Sequence, residues 1–180
     1  MRVLGIDPGY GRMGVAVLAK SRPAGSPDPA NAGFREDGKM VILYSDCLET
    51  SARDHFADRL GQLQNNLREI IKKWQPKRIA IEKLYFTSNQ KTAMQVAEVR
   101  GMIIALTQEM KIKLREYTPL QVKTGVTGYG RATKSQMAQM LPKLIKFDNK
   151  EVGKKLRDDE YDAIAIALTD IATPVIHSKN

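Results

Sequence analysis

Four acidic residues stand where a carboxylate needs a reason. Asp7 interrupts the apolar stretch VLGIDPGYGRMGVAVL and is followed at once by a Pro-Gly turn. Glu82 closes the apolar run RIAIE in the way that Asp7 closes RVLGID. Asp159 and Asp162 lie at the head of DDEYDAIAIAL, whose apolar continuation predicts a deeply buried helix. An acid among apolar residues costs free energy unless a cation or a hydrogen-bond donor meets it. Helix capping and dipole compensation account for at least one of Asp158, Asp159 and Asp162, but not for Asp7 and Glu82. Strand ends in an open α/β sheet are where ligand sites collect. Four converging carboxylates without four cationic partners repel one another, and a hard divalent cation such as magnesium or manganese relieves that through oxygen ligands. The pattern favours a metal site over four separate structural acids.

The elements that must position these acids are legible in outline. Residues 3–7, 14–18 and 40–50 read as strands, the first two joined by a tight glycine-rich turn. Between the second and third lies a Pro-, Gly- and Ser-rich stretch, about 21–39, that reads as a flexible surface loop. Over 53–74, Phe56, Leu60, Leu63, Leu67, Ile70, Ile71 and Trp74 recur at the steps of an amphipathic helix. Residues 78–82 and 112–117 complete a set of five strands, and 89–110, 133–145 and 158–173 read as further helices, the middle one bent or ended near Pro142. Three strands followed by alternating helix and strand predict an α/β fold, a mixed five-stranded sheet with helices on both faces.

Composition narrows the partners. The 180 residues carry 29 Lys plus Arg against 20 Asp plus Glu, a formal charge of +9 that favours an acidic partner such as nucleic acid. One domain is the expectation at this length. No apolar run approaches a membrane span, and the start MRVLGID lacks the sections of a secretory signal, so a cytoplasmic protein is expected. The single cysteine, Cys47, excludes a disulfide framework or a cysteine-based metal site within one chain and reads as a buried structural thiol.

Four stretches in order resemble the RuvC-type Holliday junction resolvases, bacterial endonucleases of the ribonuclease H-like fold. They are GIDPG, IAIEKLYF with SNQKTAMQVAEVRG, VKTGVTGYGRATKSQM, and DDEYDAIAIAL. The resemblance covers most of the chain and implies a single nuclease domain over residues 1–180. It also implies that Asp7, Glu82, Asp159 and Asp162 are metal-binding catalytic residues, with the neighbouring Asp158 an open alternative to Asp159. Lys123 in QVK and Lys134 in TKSQ match basic residues near the DNA and the scissile phosphate; without the resemblance both read as solvated helix lysines. Two ions per site, magnesium or manganese, would activate a water and stabilise the leaving oxygen. A protein general base is then dispensable, which suits a chain whose only histidines, His55 and His177, lie outside every motif. Lys134 is expected to stabilise charge on the phosphoryl oxygens.

Tyr85 and Phe86 read either as packing under a loop or as bases' stacking partners at an opened junction, Tyr85 standing where the family usually has phenylalanine. Further departures from the family pattern are the insertion at 21–39 and the short tail. The implied function is metal-dependent resolution of four-way DNA junctions by paired symmetric nicks, in recombination and DNA repair. A two-fold homodimer fits two equivalent cuts, and Ala93, Val96, Ala97, Gly101 and Ile104 offer it a helix face, unless that stripe packs on the sheet. RuvA and RuvB are the partners that the resemblance implies. Other readings are a branched-DNA-binding module that does not cut, an actin-like or sugar-kinase ATPase suggested by DPGYGRMG, and a YqgF-type nuclease. The filled acid positions, a length sufficient for only one such domain, and the DDEYDAIAIAL and KSQ segments weigh against them in turn.

Overall fold

Alternation with a period of two divides the central strands between two layers. In the computed structural model, which describes residues 1–20, 40–83, 90–147 and 156–174, β1 (Arg2–Asp7) and β2 (Arg12–Lys20) form a hairpin. β3 (Met40–Glu49) pairs antiparallel with β2, while β4 (Arg78–Glu82) and β5 (Lys113–Tyr117) extend the sheet in parallel beyond β1. The mixed α/β sheet is as predicted, but among the described residues it has six strands, not five, in the order β5-β4-β1-β2-β3-β6. The added strand, β6 (Ile145–Phe147), runs parallel to the start of β3, and its 3 residues are too few for a periodic signal.

Leu4, Ile6, Val15, Val17, Ile79 and Ile81 face α1 (Phe56–Trp74) and α2 (Gln90–Glu109), where Leu63, Leu67, Ile71, Val99 and Ile103 cover them. Val3, Ala16, Leu18, Ile42 and Ala80 face the opposite layer, built on α5 (Asp158–Ala172). Each fully buried leucine or isoleucine in these layers contributes about 1.5–3 kcal/mol through area removed from water. α3 (Pro119–Thr127) and α4 (Lys134–Leu144) pack on α5 through Val122, Val126 and Leu141. α3 has no counterpart in the sequence reading, because Val122, Thr124, Val126 and Gly125 give it poor intrinsic propensity. It is set instead by a capping box: the Thr118 hydroxyl accepts from the Gln121 N–H, and the Gln121 side chain accepts from the Thr118 N–H. α4 passes through Pro142 and ends at Leu144. Among the described residues no helix is long and apolar enough to cross a membrane. The insertion at 21–39, Tyr85, Phe86 and His177 lie outside the described residues.

The far end of α5 is tied to the sheet by an acid that the sequence reading did not single out. Asp170 is fully buried and accepts from Arg78 Nε at 2.6 Å and from the Tyr117 hydroxyl at 2.9 Å, with Arg115 Nη1 at 3.4 Å. Burial and the Asp170 charge together push the Tyr117 hydroxyl pKa up. Asp170→Ala would leave Arg78 buried without its counter-charge, and a loss of about 3–5 kcal/mol is expected. Urea unfolding checks this. Arg78→Met combined with Asp170→Leu should cost much less than the single change, and an unshifted midpoint in Asp170→Ala would refute the tie.

Candidate active site

Strand parity places the first two acids. Asp7 follows Val3 and Gly5 on the α5 face of β1, and Glu82 follows Ala80 on the same face of β4. The strands are parallel neighbours with Ile6 opposite Ile81, so Asp7 and Glu82 leave the sheet side by side.

The other two depend on how closely α5 approaches the sheet. A Cβ on Gly5 would stand 2.2 Å from the Ala163 carbonyl oxygen, and one on Gly14 would stand 1.9 Å from that of Asp159. Only glycine lets the helix backbone lie there. Gly14 is the ladder partner of Asp7, so the start of α5 rests directly beside the end of β1. Glu160, also buried, accepts from Ser45 Oγ at 2.8 Å and from the Arg157 N–H at 3.3 Å, which fixes the first turn of the helix on β3. Asp159 and Asp162 thereby share the space above Asp7.

Electrostatics record the convergence. Asp7 has its pKa pushed up to about 7, first by burial and then by the charges of Asp162, Glu82 and Asp159, with Lys134 opposing. Burial and Asp162 also raise Glu82, against Lys134 and Lys123. Asp162 is raised by burial despite Lys134, whose Nζ lies 3.3 Å from Asp162 Oδ2. That carboxylate in turn holds the Lys134 ammonium above its ordinary pKa. Lys134 is therefore an exposed lysine with a defined partner. Lys123 lines with Glu82, Lys134, Met137, Tyr161 and Asp162 a cleft of about 580 Å³ between α3, α4 and α5.

Among the described residues no three acidic, histidine or cysteine side chains are gathered tightly enough to ligate one ion as they stand. The donors nevertheless fit a hard divalent cation. They are all carboxylate oxygens, and desolvation together with mutual repulsion has driven Asp7 toward protonation, a cost that a bound cation offsets.

The turn that follows Asp7 is clamped from two other elements. Arg59 is almost fully buried and donates from Nη2 to the Tyr10 carbonyl at 3.0 Å and from Nε to Thr50 Oγ1 at 2.9 Å. Its guanidinium lies 5.0 Å from the centre of the Tyr10 ring, and Thr50 Oγ1 donates to the same carbonyl at 2.7 Å. A signal for Arg59 was present, since it falls one turn before Leu63 on the apolar stripe of α1. Arg12 and Arg157, which reach Asp159 and Glu49 respectively, carried no signal beyond their charge. Cys47 corrects an expectation: it is half-buried on the α5 face of β3, not enclosed, with Sγ 3.8 Å from Asp159 Oδ2. Period two from Ser45 directs it there, and burial raises its thiol pKa. His55 is exposed at the start of α1, as expected, and makes no side-chain cap.

Comparisons with known proteins identify the family and the fold. Residues 3–170 match the family described as crossover junction endodeoxyribonuclease RuvC. A protein of that description from Petrotoga mobilis is 39% identical over 169 residues, 93% of this chain and 91% of that protein. The Thermus thermophilus RuvC structure superposes with a TM-score of 0.77 at 25% identity, covering 96% of this chain and 94% of that one. A second structure, T. thermophilus RuvC in complex with Holliday junction substrate, gives a TM-score of 0.77 at 25% identity, with 94% and 92% covered. With a family match across nearly the whole fold and close relatives of equal length, the chain belongs to the RuvC family of crossover junction endodeoxyribonucleases.

Proposed function

We propose that the protein is a divalent-metal-dependent endonuclease that resolves four-way DNA junctions by paired symmetric nicks, in recombination and DNA repair. The observation that carries this is Asp7, half-buried at a strand end, its pKa pushed up to about 7 by desolvation and three neighbouring carboxylates. Family membership supplies the substrate class.

Asp7, Glu82, Asp159 and Asp162 would hold Mg2+ or Mn2+, two ions per site. Asp159 is taken over Asp158 because its charge raises Asp7, while Asp158 acts on Asp162. When bound, such ions supply an activated water and charge stabilisation at the leaving oxygen. Lys134, kept protonated by Asp162, is placed to neutralise charge on a phosphoryl oxygen, and Lys123 to bind the backbone at the cleft wall. Tyr85 and Phe86, just beyond β4, are assigned to base stacking by their place in the family motif. Met94, Ala97, Gly101 and Ile104 are exposed on α2, with open space at Gly101, which supports docking of a second copy and two equivalent sites. RuvA and RuvB as partners, and a cytoplasmic location, are carried over from the family.

The test is cleavage of an end-labelled four-way junction beside linear duplex, with magnesium, manganese or chelator. Paired nicks in the junction alone, lost with chelator, are expected. Junction binding without cutting under every metal would refute the reading.

A further inference from the structure

Two clefts open on the acids, one on each side of the first turn of α5. The first, between α3, α4 and α5, carries Lys123. The second lies between the start of β2 and the start of α5, holds about 610 Å³, and is lined by Arg12, Leu156, Arg157 and Asp159, with Lys134, Asp158 and Asp162 common to both. A strand that presents a phosphate to the acids must continue in both directions, so its neighbouring phosphates fall on opposite sides of that helix turn. The first cleft meets one of them with lysine. The second offers two arginines whose side chains are 63% and 50% exposed.

We propose that the cleft between β2 and α5 is a DNA-backbone subsite in which Arg12 and Arg157 grip the phosphate next to the scissile one, on the side away from Lys123. Both arginines now rest on carboxylates. Arg12 Nε stands 3.6 Å from Asp159 Oδ2, too far for a hydrogen bond, and Arg157 pairs with the exposed Glu49. Such exposed ion pairs contribute little to stability, so exchanging them for a phosphate that accepts two parallel N–H bonds is favourable. Two cations are also needed here, because Asp158 and Asp159 line the same cleft and repel a phosphate. Arg157 immediately precedes Asp158 and Asp159, so a backbone contact at its guanidinium registers the strand against the helix acids. The inference rests on the acids being the cutting site.

The experiment measures junction cleavage by wild type, Arg12→Gln, Arg157→Gln and the double variant, against salt and against junctions carrying one neutral methylphosphonate beside the scissile phosphate. Each single change is expected to raise KM about 5- to 20-fold and to lower the slope of log affinity against log salt by about 1, with a smaller effect on kcat. On a junction neutralised at the phosphate in this cleft, wild type should fall to the level of the variants and the variants should lose little more. Neutralising the phosphate on the Lys123 side should add to the variants' defect instead. Unchanged KM and salt slope, or equal penalties on every substrate, would overturn the subsite while cleavage by wild type keeps the nuclease reading intact. Failure of wild type to cut any junction would overturn both.

Discussion

Asp7→Asn should lower cleavage by about 10³-fold or more, about 4 kcal/mol of barrier, while junction binding is largely kept and the metal-free protein becomes more stable. On the proposed reading, the loss follows from removing one of the oxygen ligands and its charge from the centre of the acid set. The gain in stability follows from linkage. Asp7 has a folded pKa of about 7 against 3.8 for the free group, so the folded state binds more protons between those pH values. Stability from this group is therefore full below about pH 3.8 and is lost as pH rises toward 7. Without metal at pH 8, the asparagine variant should melt about 5–10 °C above wild type, and the gap should close toward pH 4. Adding magnesium should raise the melting temperature of wild type much more than that of the variant. Retained cleavage, or a variant that melts no higher at pH 8, would refute the placement of Asp7.

Gly14→Ala should slow single-turnover cleavage about 10²-fold and destabilise the fold by about 1–3 kcal/mol. The added methyl would meet the Asp159 carbonyl oxygen at 1.9 Å, a backbone atom that cannot swing aside. α5 must then lift from β2, carrying Asp159 and Asp162 away from Asp7 and Glu82. Gly61 provides the contrast: nothing lies within 4 Å of a Cβ there, so Gly61→Ala on the α1 surface should leave the rate unchanged and slightly favour the helix. A Gly14→Ala enzyme that cuts at the wild-type rate would show that the helix approach does not set the site.

The site was more legible than the sheet edge, for a physical reason. Asp7 and Glu82 each close a short apolar run, so their place at a strand end can be read from the sequence, whereas the face they take cannot, because both runs are buried on both faces. Asp159 and Asp162 begin a helix whose burial is written in AIAIAL. By contrast β6 is held by pairing with the start of β3, a partner about a hundred residues distant in the chain, and α3 by one capping box acting on weak helix formers. Arg59, Asp170 and Glu160 were missed for a related reason. Each is a charged residue whose burial is offset by a partner on another element, and periodicity within one element cannot name that partner. Cys47 was read as enclosed because its strand alternates, yet it lies at the end of the sheet where α5 only begins to cover the face.

The pairing of Lys20 with Met40 separates what can vary in this chain from what cannot. Those two residues are ladder neighbours at the end of the β2–β3 hairpin remote from the acids, so the residues between them join positions already fixed by the sheet. Gaining or losing length there moves no acid, and each doubling of the length of a connection costs only about 0.6 kcal/mol. One residue added within β1 or β4 does the opposite, turning Asp7 or Glu82 to the α1 face. Related chains should therefore differ freely in length after β2 while keeping a strict residue count from the strand cores to the two acids, and a reporter peptide would be best grafted between Lys20 and Met40.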